Sequence, residues 1–396
     1  MTMETCDAII VGGGAIGVSI AYHLARMRAG RVLLLERAQL GGGTTAQSSC
    51  IVRTHYSVPQ NVMLAKAGLD VFRDFKNYLD DADAESGFTP CGLMVVAAEG
   101  ERAVALRETL AIERSVGVDA REIAHDQARR LLPLAQFDDI ACIGWEPASG
   151  YADAYLTLSA FARNARRHGA ALREGVDVLG LLRDGDHVTG VRTSGGSIAA
   201  GVVICAQNIW TREVARWTGV DFPLVLSRHA VFTLEGREPY ERTLPMIKDL
   251  ASGAKLYMRS YGGRQLLVGD GNEGETIAAP NTEQADVGLD FVADIGEQVA
   301  HRLPAFADAG LAASWTGVYD VTPDWNPVLG AVPGITGLHV AYGFSGHGFK
   351  LSPVVGRLVA QAALGVAPDI DLTPYALSRF AQGRLLIGRY GAGAVS

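Results

Sequence analysis

Apolar residues near the start of the chain fall into two short runs and one helical pattern. Residues 8–11 and 32–35 are continuous apolar runs with the length of buried strands, whereas residues 15–27 carry apolar side chains at helical spacing. A glycine-rich stretch separates the first run from the helical pattern. This order predicts a strand, a tight turn, a helix and a second strand, which is the beginning of an α/β fold.

The same two patterns continue along the rest of the chain. Helical spacing predicts helices over residues 61–79, 101–132, 156–168, 285–302 and 351–364. Short apolar or alternating runs between turn residues predict strands over residues 88–98, 140–145, 170–172, 176–182, 188–193, 197–199 and 202–206. Residues 223–303 alternate in the manner of antiparallel strands, and residues 314–342 return to short strands and proline turns. A chain of 396 residues usually forms more than one core, so we expect two domains.

The first turn carries the glycine spacing of a dinucleotide-binding motif. Gly12 allows the turn, Gly14 lets the backbone approach a pyrophosphate, and Gly17 lets the helix pack against the strand. The helix begins at Ala15 and Ile16, where unpaired N–H groups can bind phosphate. The alternative is a glycine-rich turn without a ligand, but the strand and helix on either side favour dinucleotide binding.

An acidic residue and a hydroxyl-rich loop follow the second predicted strand. Glu36 ends that strand about twenty residues after the last glycine, where a carboxylate accepts hydrogen bonds from a ribose. Residues 41–49 contain only Gly, Thr, Ala, Gln and Ser, and such a loop donates hydrogen bonds to a phosphate or to the ring of a cofactor. By composition the loop is equally a flexible linker; its position directly after the acidic residue favours binding.

Composition and charge exclude several classes of protein. A net charge of -8 argues against nucleic acid or an anionic membrane as the main partner. The first apolar stretch is too short to span a bilayer and lacks the basic leader of a signal peptide, so we expect a cytoplasmic protein. The five cysteines are scattered without a C-x-x-C pair, as in a reducing compartment, and the histidines show no metal-binding spacing.

Three further motifs, together with the glycine turn, resemble one family. Residues 203–210, residues 315–324 (Trp-Thr-Gly-Val-Tyr-Asp-Val-Thr-Pro-Asp) and residues 343–350 (Gly-Phe-Ser-Gly-His-Gly-Phe-Lys) are similar to those of the FAD-dependent amine and amino-acid oxidoreductases. That family includes sarcosine oxidase, glycine oxidase and D-amino-acid oxidase. The resemblance covers nearly the whole chain, is closest to sarcosine oxidase and related beta subunits, and is most specific in residues 343–350.

The resemblance implies a fold and a domain division. A Rossmann-like FAD-binding domain comprises residues 1–85, 148–222 and 313–365, and a substrate domain with an antiparallel sheet comprises residues 86–147 and 223–312. Residues 366–396 form a C-terminal tail. It also implies FAD contacts at Gly12, Gly14, Ala15, Ile16, Gly17, Glu36, Arg37, Thr44, Thr45, Ser48, Ser49, Val176, Trp210, Gly317, Gly343, Phe344, Ser345, Gly346, His347, Gly348, Phe349 and Lys350.

Four residues are candidates for contact with the substrate or for catalysis. Arg53 and Lys350 match the two cations that sarcosine oxidases use to hold the substrate carboxylate, and arginine and lysine suit that task. The alternatives are a surface ion pair for Arg53 and a solvated lysine for Lys350. His347 and Tyr257 are weaker candidates because a packed histidine and a core tyrosine are equally common. Arg259 is weaker still, since an exposed arginine needs no function.

Departures from the family pattern narrow the expected activity. Tyr319 stands where D-amino-acid and glycine oxidases carry an arginine, which moves the prediction towards sarcosine-like substrates. Gly317 stands where monomeric sarcosine oxidases attach FAD through a cysteine, so we expect non-covalent FAD. Leu267 replaces their oxygen-activating lysine, which leaves oxidase and dehydrogenase open. Asn208 replaces a glycine, a tolerable exchange because asparagine accepts positive φ.

The resemblance therefore implies oxidation of the C–N bond of a small secondary, N-methyl or cyclic amino acid by hydride transfer to flavin N5, giving an imine. The alternatives are a D-amino-acid dehydrogenase, a hydroxy-acid oxidoreductase, and an FAD-carrying beta subunit that needs partner subunits or another electron acceptor. The substrate itself is not determined by any motif, because specificity lies in residues 224–274.

Overall fold

The computed structural model describes residues 3–280 and 284–391. In this part of the chain the α-helices are Ala15–Arg26, Pro59–Arg73, Phe75–Leu79, Glu101–Ser115, His125–Leu131, Ala154–Arg167, Thr211–Thr218, Leu289–Arg302 and Gly348–Ala363. Short 3₁₀ helices are Thr44–Gln47, Asn208–Trp210, Pro304–Phe306, Thr373–Tyr375 and Leu377–Arg379. None of the described helices is long and apolar enough to cross a membrane.

A six-stranded sheet carries the glycine turn. Its strands, in spatial order, are Ala171–Arg173, Val32–Leu35, Ala8–Val11, Val202–Cys205, Leu338–Tyr342 and Val328–Ala331. Neighbours are parallel except for the last pair, which is antiparallel. The central strands are buried on both faces, which explains why they appear in the sequence as unbroken apolar runs.

Helices and a smaller sheet cover the two faces of this six-stranded sheet. Ala15–Arg26 packs against Gly348–Ala363 and Ala154–Arg167 in one apolar core. A second core joins the six-stranded sheet to a four-stranded sheet. The strands of the four-stranded sheet are Glu4–Thr5, Gly196–Ala199, His187–Thr193 and Val178–Asp184.

A larger, mostly antiparallel sheet forms the other half of the molecule. Its strands, in spatial order, are Glu275–Ile277, Val225–Glu235, Gln265–Gly269, Tyr257–Tyr261, Met246–Asp249, Leu93–Ala97, Cys142–Glu146 and Arg121–Glu122. The long strand Gly310–Val321 pairs along Val225–Glu235. One face of the sheet packs on Leu289–Arg302, and Glu101–Ser115 packs on Leu93–Ala97 and Cys142–Glu146. A three-stranded sheet of Ile51–Val52, Gly150–Tyr151 and Thr89–Pro90 completes the fold.

These two large sheets confirm the predicted fold class of a Rossmann-like sheet combined with an antiparallel sheet. The domain boundaries stay a prediction. Gly310–Val321 crosses the predicted boundary at residue 313 and pairs throughout with a strand that we assigned to the substrate domain. Tyr375 and Arg379, within the predicted C-terminal tail, are fully buried, and Arg379 forms an ion pair with Asp324.

Four helix predictions differ from the structure, and one of these, the helix predicted over residues 285–302, begins only at Leu289. The helix predicted over residues 101–132 is interrupted after Ser115, where Gly117 adopts a φ of +80°, and the strand Arg121–Glu122 follows. The helix predicted over 61–79 is broken at Asp74. The helix predicted from residue 351 begins at Gly348, because burial of Phe349 and Lys350 outweighs the low helix propensity of glycine.

Candidate active site

The glycine turn has the close backbone contacts that its sequence predicts. Gly12 adopts a φ of +109°, and a Cβ built on Gly17 would overlap the carbonyl oxygen of Gly12. The helix N-cap at Gly14 has no side-chain hydrogen bond, and the N–H of Ala15 donates to Thr45 Oγ1 at 3.1 Å. Gly17 therefore sets the packing of the turn, while the N-cap Gly14 places no side chain between the helix N-terminus and an anion.

A cavity of about 870 Å³ lies at the carboxyl ends of the strands Ala8–Val11 and Val32–Leu35 of the six-stranded sheet. Glu36 reaches this cavity, where its carboxylate accepts hydrogen bonds from the N–H groups of Gly13 at 2.7 Å and Ala38 at 2.9 Å. The predicted residues that line the cavity are Gly12, Gly14, Glu36, Arg37, Thr44, Thr45, Val176 and Trp210. Arg37 pairs with Glu213 at 2.7 Å and stacks over Trp210, so the rim is fixed before any ligand binds.

A second cavity of about 850 Å³ adjoins the first and shares Gly14, Thr44, Thr45, Ala206 and Asn208 with it. Predicted residues on its wall are Ala15, Ile16, Ser48, Ser49, Gly317, Phe344, Gly346, Gly348 and Phe349. We call the two cavities together the cofactor cleft. The open helix N-terminus at one end and the glycine backbones along the wall fit an elongated dinucleotide.

Several residues of the cofactor cleft were missed by the sequence analysis. Gln47, His229, Val231, Val318 and Asp320 also line the second cavity. Gln47 accepts a hydrogen bond from the N–H of Val318 at 3.2 Å, which joins the hydroxyl-rich loop to the strand Gly310–Val321. The composition of residues 41–49 was the available signal for Gln47, whereas His229 and Val231 carried none.

Asn208 confirms the conformation expected of it. It lines the cofactor cleft with a φ of 48°, and its side-chain oxygen accepts a hydrogen bond from the Thr44 hydroxyl at 3.1 Å. Asparagine thus replaces glycine at a left-handed position and adds a side-chain contact.

Gly343 lies behind the wall of the cleft. It adopts a φ of +75°, and its N–H donates to Asp320 Oδ2 at 2.5 Å. Burial raises the pKa of Asp320 to about 7, although the backbone N–H groups of residues 343–345 oppose the shift. Asp320 Oδ1 is buried without a hydrogen-bond partner in the described part of the chain. Asp320 therefore holds the 343–350 loop and presents an unsatisfied oxygen beside the cleft.

A third cavity of about 730 Å³ opens beside the cofactor cleft and shares Ser49, His229, Tyr257, Tyr319 and Gly346 with it. We call it the charged cavity. Arg53, His347, Lys350 and Ser345 line it, as do Lys248, Asp270, Asn272 and Trp325, which the sequence analysis did not single out. Three of the four catalytic candidates therefore line the charged cavity alone, and Tyr257 lines both cavities.

Arg53 and Lys350 both lie over the same aromatic ring. The Arg53 guanidinium carbon is 4.7 Å from the centre of the Tyr56 ring, and Lys350 Nζ is 5.7 Å from it. Arg53 also donates a hydrogen bond to the carbonyl oxygen of His55. Lys350 is only 5% exposed, so the alternative of a solvated lysine is wrong. Burial, and then repulsion by Arg53, hold the pKa of Lys350 well below its usual range.

Neutral rings form the rest of the wall near the cleft. Tyr319 stacks on His229 with ring centres 4.0 Å apart, and its phenol shares a hydrogen bond with that of Tyr257. Burial lowers the pKa of His229 to about 4 and holds the pKa of His347 well below its usual range. Burial raises the pKa values of both tyrosines. Neither phenol nor imidazole therefore adds charge at neutral pH.

Arg259 and Leu267, which the sequence analysis also considered, are not among the described residues that line these three cavities. Arg259 is only 6% exposed and donates to the carbonyl oxygen of Ser49 at 2.8 Å, so the alternative of an exposed arginine is wrong. Leu267 is fully buried in the strand Gln265–Gly269.

A buried ionic cluster lies next to Arg53 in the chain and was not predicted. His55 Nδ1 is 2.7 Å from Glu113 and 3.5 Å from Glu146, and all three side chains are at most 2% exposed. Burial alone would lower the pKa of His55, but the Glu113 and Glu146 carboxylates raise it to about 9. We interpret the cluster as an imidazolium that faces the ionised Glu146 and pairs with Glu113, whose own pKa burial raises to about 7 although His55 opposes the shift.

These features define a Rossmann-like protein with a cleft that fits a dinucleotide and an adjoining cavity lined by charged side chains. The model of the family DAO, FAD dependent oxidoreductase, matches residues 7–362, and the chain belongs to that family. The protein is therefore an FAD-dependent oxidoreductase, and the FAD predicted from the sequence is confirmed.

Individual relatives are similar over nearly the whole chain. The 4-methylaminobutanoate oxidase (formaldehyde-forming) of Paenarthrobacter nicotinovorans is 31% identical over 94% of this chain and 45% of its own length. The chain thus spans about half the length of that relative. The sarcosine oxidase subunit beta of Arthrobacter sp is 27% identical over 99% of this chain and 95% of its own. The L-proline dehydrogenase structure from P. horikoshii superposes with a TM-score of 0.88 at 25% identity, covering 97% of this chain and 100% of that one.

Proposed function

We propose that the protein oxidises the C–N bond of a small secondary, N-methyl or cyclic amino acid to an imine, which water then hydrolyses. The observation that carries the proposal is the placement of Arg53 and Lys350 in a cavity that shares five residues with the cofactor cleft. A carboxylate bound by these cations would hold the neighbouring C–N bond near the cleft.

Arg53 and Lys350 supply complementary parts of a carboxylate site. The guanidinium group can donate two parallel hydrogen bonds to a carboxylate, and the lysine adds a point charge. Because burial depresses the pKa of Lys350, a bound anion favours the charged form of this side chain. The site therefore selects ligands that carry a carboxylate.

The remaining wall suits an amine in its neutral form. When bound, FAD supplies the hydride acceptor for the C–N bond. His229, His347, Tyr257 and Tyr319 are neutral at pH 7 and add aromatic surface that excludes water. These side chains orient the substrate without stabilising a competing anion beside the cleft.

The relatives support this substrate class. Their names refer to 4-methylaminobutanoate, sarcosine and L-proline, which are secondary amines that also carry a carboxylate. Tyr319 argues against a D-amino-acid dehydrogenase, because its phenol is occupied by Tyr257 and it offers no cation.

The test is anaerobic mixing of the yellow protein with sarcosine, N-methyl amino acids, L-proline and D-alanine, followed by flavin absorbance. We expect bleaching by a secondary amine and none by D-alanine. Bleaching by D-alanine alone would favour the D-amino-acid dehydrogenase, and bleaching by lactate would favour the hydroxy-acid alternative. A protein bleached by none of these compounds would contradict the proposal.

A beta subunit is the second candidate, because the chain covers 95% of the sarcosine oxidase subunit beta. The buried Leu267, in place of an oxygen-activating lysine, supports an acceptor other than oxygen. If the isolated chain is itself active, as we propose, it should turn over with an artificial dye, and its reduced flavin should regain its colour only slowly in air. An isolated chain whose flavin stays oxidised with every amine would favour the subunit hypothesis.

Non-covalent FAD and a reducing compartment complete the proposal. No cysteine is among the described residues that line the cofactor cleft, and all five cysteines are free thiols. Acid precipitation should release the yellow colour into the supernatant, whereas a yellow pellet would show covalent attachment.

A further inference from the structure

The charged cavity contains more basic side chains than one carboxylate can pair with. Among the described residues on its wall, the charged side chains are the cations Arg53, Lys248 and Lys350 and the carboxylate of Asp270. An amino acid with a neutral amine carries one negative charge. Such a ligand supplies one anionic partner for these basic side chains, whereas a dicarboxylate supplies two.

Lys248 belongs to a different element from the other two cations. It lies on the strand Met246–Asp249 of the large sheet, directly opposite Tyr257 in the antiparallel pairing. Directly opposed residues point to the same face of a sheet, and Tyr257 lines both cavities. Lys248 Nζ is 6.0 Å from the centre of the Tyr257 ring. The strand pairing thus aims the ammonium at the charged cavity.

The fold leaves a defined space for this ammonium. A Cβ built on Gly271 would lie only 2.5 Å from Lys248 Nζ, so the glycine makes room for the group. The ammonium donates one of its three N–H groups to the carbonyl oxygen of Lys255 at 2.9 Å. Asp270 is oriented by the N–H of Asn272, which donates to its Oδ1 at 2.8 Å. Lys248 is therefore positioned by its neighbours and is not a loose surface side chain.

Charge repulsion shows that Lys248 shares its environment with the predicted carboxylate site. Burial, and then Arg53 and Lys255, lower the pKa of Lys248 to about 7, while Asp270 opposes the shift. Lys248 in turn lowers the pKa of His347, after burial, Lys350 and Arg53. An additional anion at this end of the cavity would relieve that repulsion.

We propose that Lys248 binds a second carboxylate, and that the preferred substrates are N-alkyl amino acids with two carboxylates. Arg53 and Lys350 hold the carboxylate next to the reacting C–N bond, and Lys248 holds the distal one. This inference rests on the proposed function and specifies its substrate class.

Two unreactive thioethers test the proposal because they differ by one carboxylate. Methylthioacetate carries one carboxylate and thiodiglycolate carries two, and sulfur replaces the amine nitrogen in both. Their dissociation constants are measured from the perturbation of the flavin spectrum. We expect the wild-type protein to bind thiodiglycolate about 10-fold more tightly, as one charged hydrogen bond provides. Lys248→Met should abolish that preference and change methylthioacetate binding by less than about threefold.

Lys76→Met is the matched control, since Lys76 is an exposed lysine on the helix Phe75–Leu79 and should retain the preference. If Lys248→Met binds both thioethers equally more weakly, the proposal is overturned. It is also overturned if this variant binds both thioethers as the wild type does but oxidises sarcosine and iminodiacetate equally more slowly. If the wild-type protein shows no preference for thiodiglycolate, the proposal is overturned, and this result does not depend on whether Lys248→Met folds. If sarcosine bleaches the flavin in that case, the proposed function stands; if no amine bleaches it and neither thioether binds, both fail.

Discussion

The cofactor cleft and the charged cavity share five residues but are built in different ways. The cleft is lined largely by backbone and small side chains from a few continuous stretches, among them residues 11–16, 35–49 and 206–210. The charged cavity is lined by long side chains that come from separate strands, loops and one helix. Close backbone approach is thus encoded locally, whereas charge complementarity depends on how distant elements are paired. The following experiments test this difference.

Gly17→Ala should have the largest effect, because the new Cβ overlaps the Gly12 carbonyl oxygen. Backbone atoms cannot move aside as a flexible side chain can, so we expect loss of bound FAD and a destabilisation of about 3 kcal/mol. Flavin content per protein and thermal unfolding measure the outcome. Gly14→Ala is the control, since its Cβ meets Thr45 Oγ1 at 3.1 Å and the fold should survive. Equal stability of the two variants would contradict this account.

Glu113→Gln tests the buried cluster on the substrate side. Removing one carboxylate leaves the His55 imidazolium with a single buried partner, and breaking such a pair costs about 3 kcal/mol. Denaturant unfolding measures the change. Glu108→Gln on the same helix is a matched control, because Glu108 is 47% exposed and pairs only at the surface with Arg389. Similar losses in the two variants would show that the cluster contributes nothing special.

The same cluster gives the protein a pH-dependent stability. The folded-state pKa of His55 is raised to about 9, so its contribution is fully present below about pH 6.5 and is lost as the pH rises through 9. The groups facing it are Glu146, the Tyr390 hydroxyl and Glu113, whose pKa burial raises to about 7, so that its ionisation also lowers the stability in this pH range. We expect the unfolding free energy to fall by about 2 kcal/mol from pH 6.5 to 9, and by less in Glu113→Gln. A parallel pH profile in both proteins would refute this assignment.

Arg53→Ala should weaken ligand binding in the charged cavity without affecting the cofactor cleft. Loss of the guanidinium should weaken binding of methylthioacetate about 100-fold, or roughly 2.7 kcal/mol, while FAD remains bound. Flavin absorbance reports both quantities in one titration. Arg73→Ala, at an exposed position on the helix Pro59–Arg73, should bind as the wild type does. An unchanged affinity in Arg53→Ala would remove this residue from the substrate site.

Substitution of Asn208, which lines the cofactor cleft, should have the smallest effect. Both Asn208→Ala and Asn208→Gly lose the contact with Thr44, but only alanine is strained at a φ of 48°. The alanine variant should therefore be about 1 kcal/mol less stable than the glycine variant. Thermal unfolding of the two holoproteins measures this difference, and identical stabilities would mean that the backbone relaxes at this position.

Sequence reasoning was most successful where function depends on neighbouring residues. The glycine turn follows from local backbone requirements, Glu36 lines the cavity beside that turn, and Asn208 has the positive φ expected of it. Arg53 and Lys350 entered through resemblance, and the structure brings them to one cavity. Helix ends were less predictable, because burial of Phe349 and Lys350 decided where the last long helix begins.

The sequence by itself determined the order of strands and helices, the dinucleotide turn and the family of the protein. The order of elements and the turn follow from short-range hydrophobic periodicity and from the φ angles that glycine accepts, whereas the family was recognised from the resemblance of residues 203–210, 315–324 and 343–350. Only the tertiary structure decided that Lys248 faces Tyr257, since a register shift of one residue would turn its side chain to the opposite face of the sheet. Likewise, His55, Glu113 and Glu146 lie far apart in sequence, and packing in a water-poor interior makes them one charged unit.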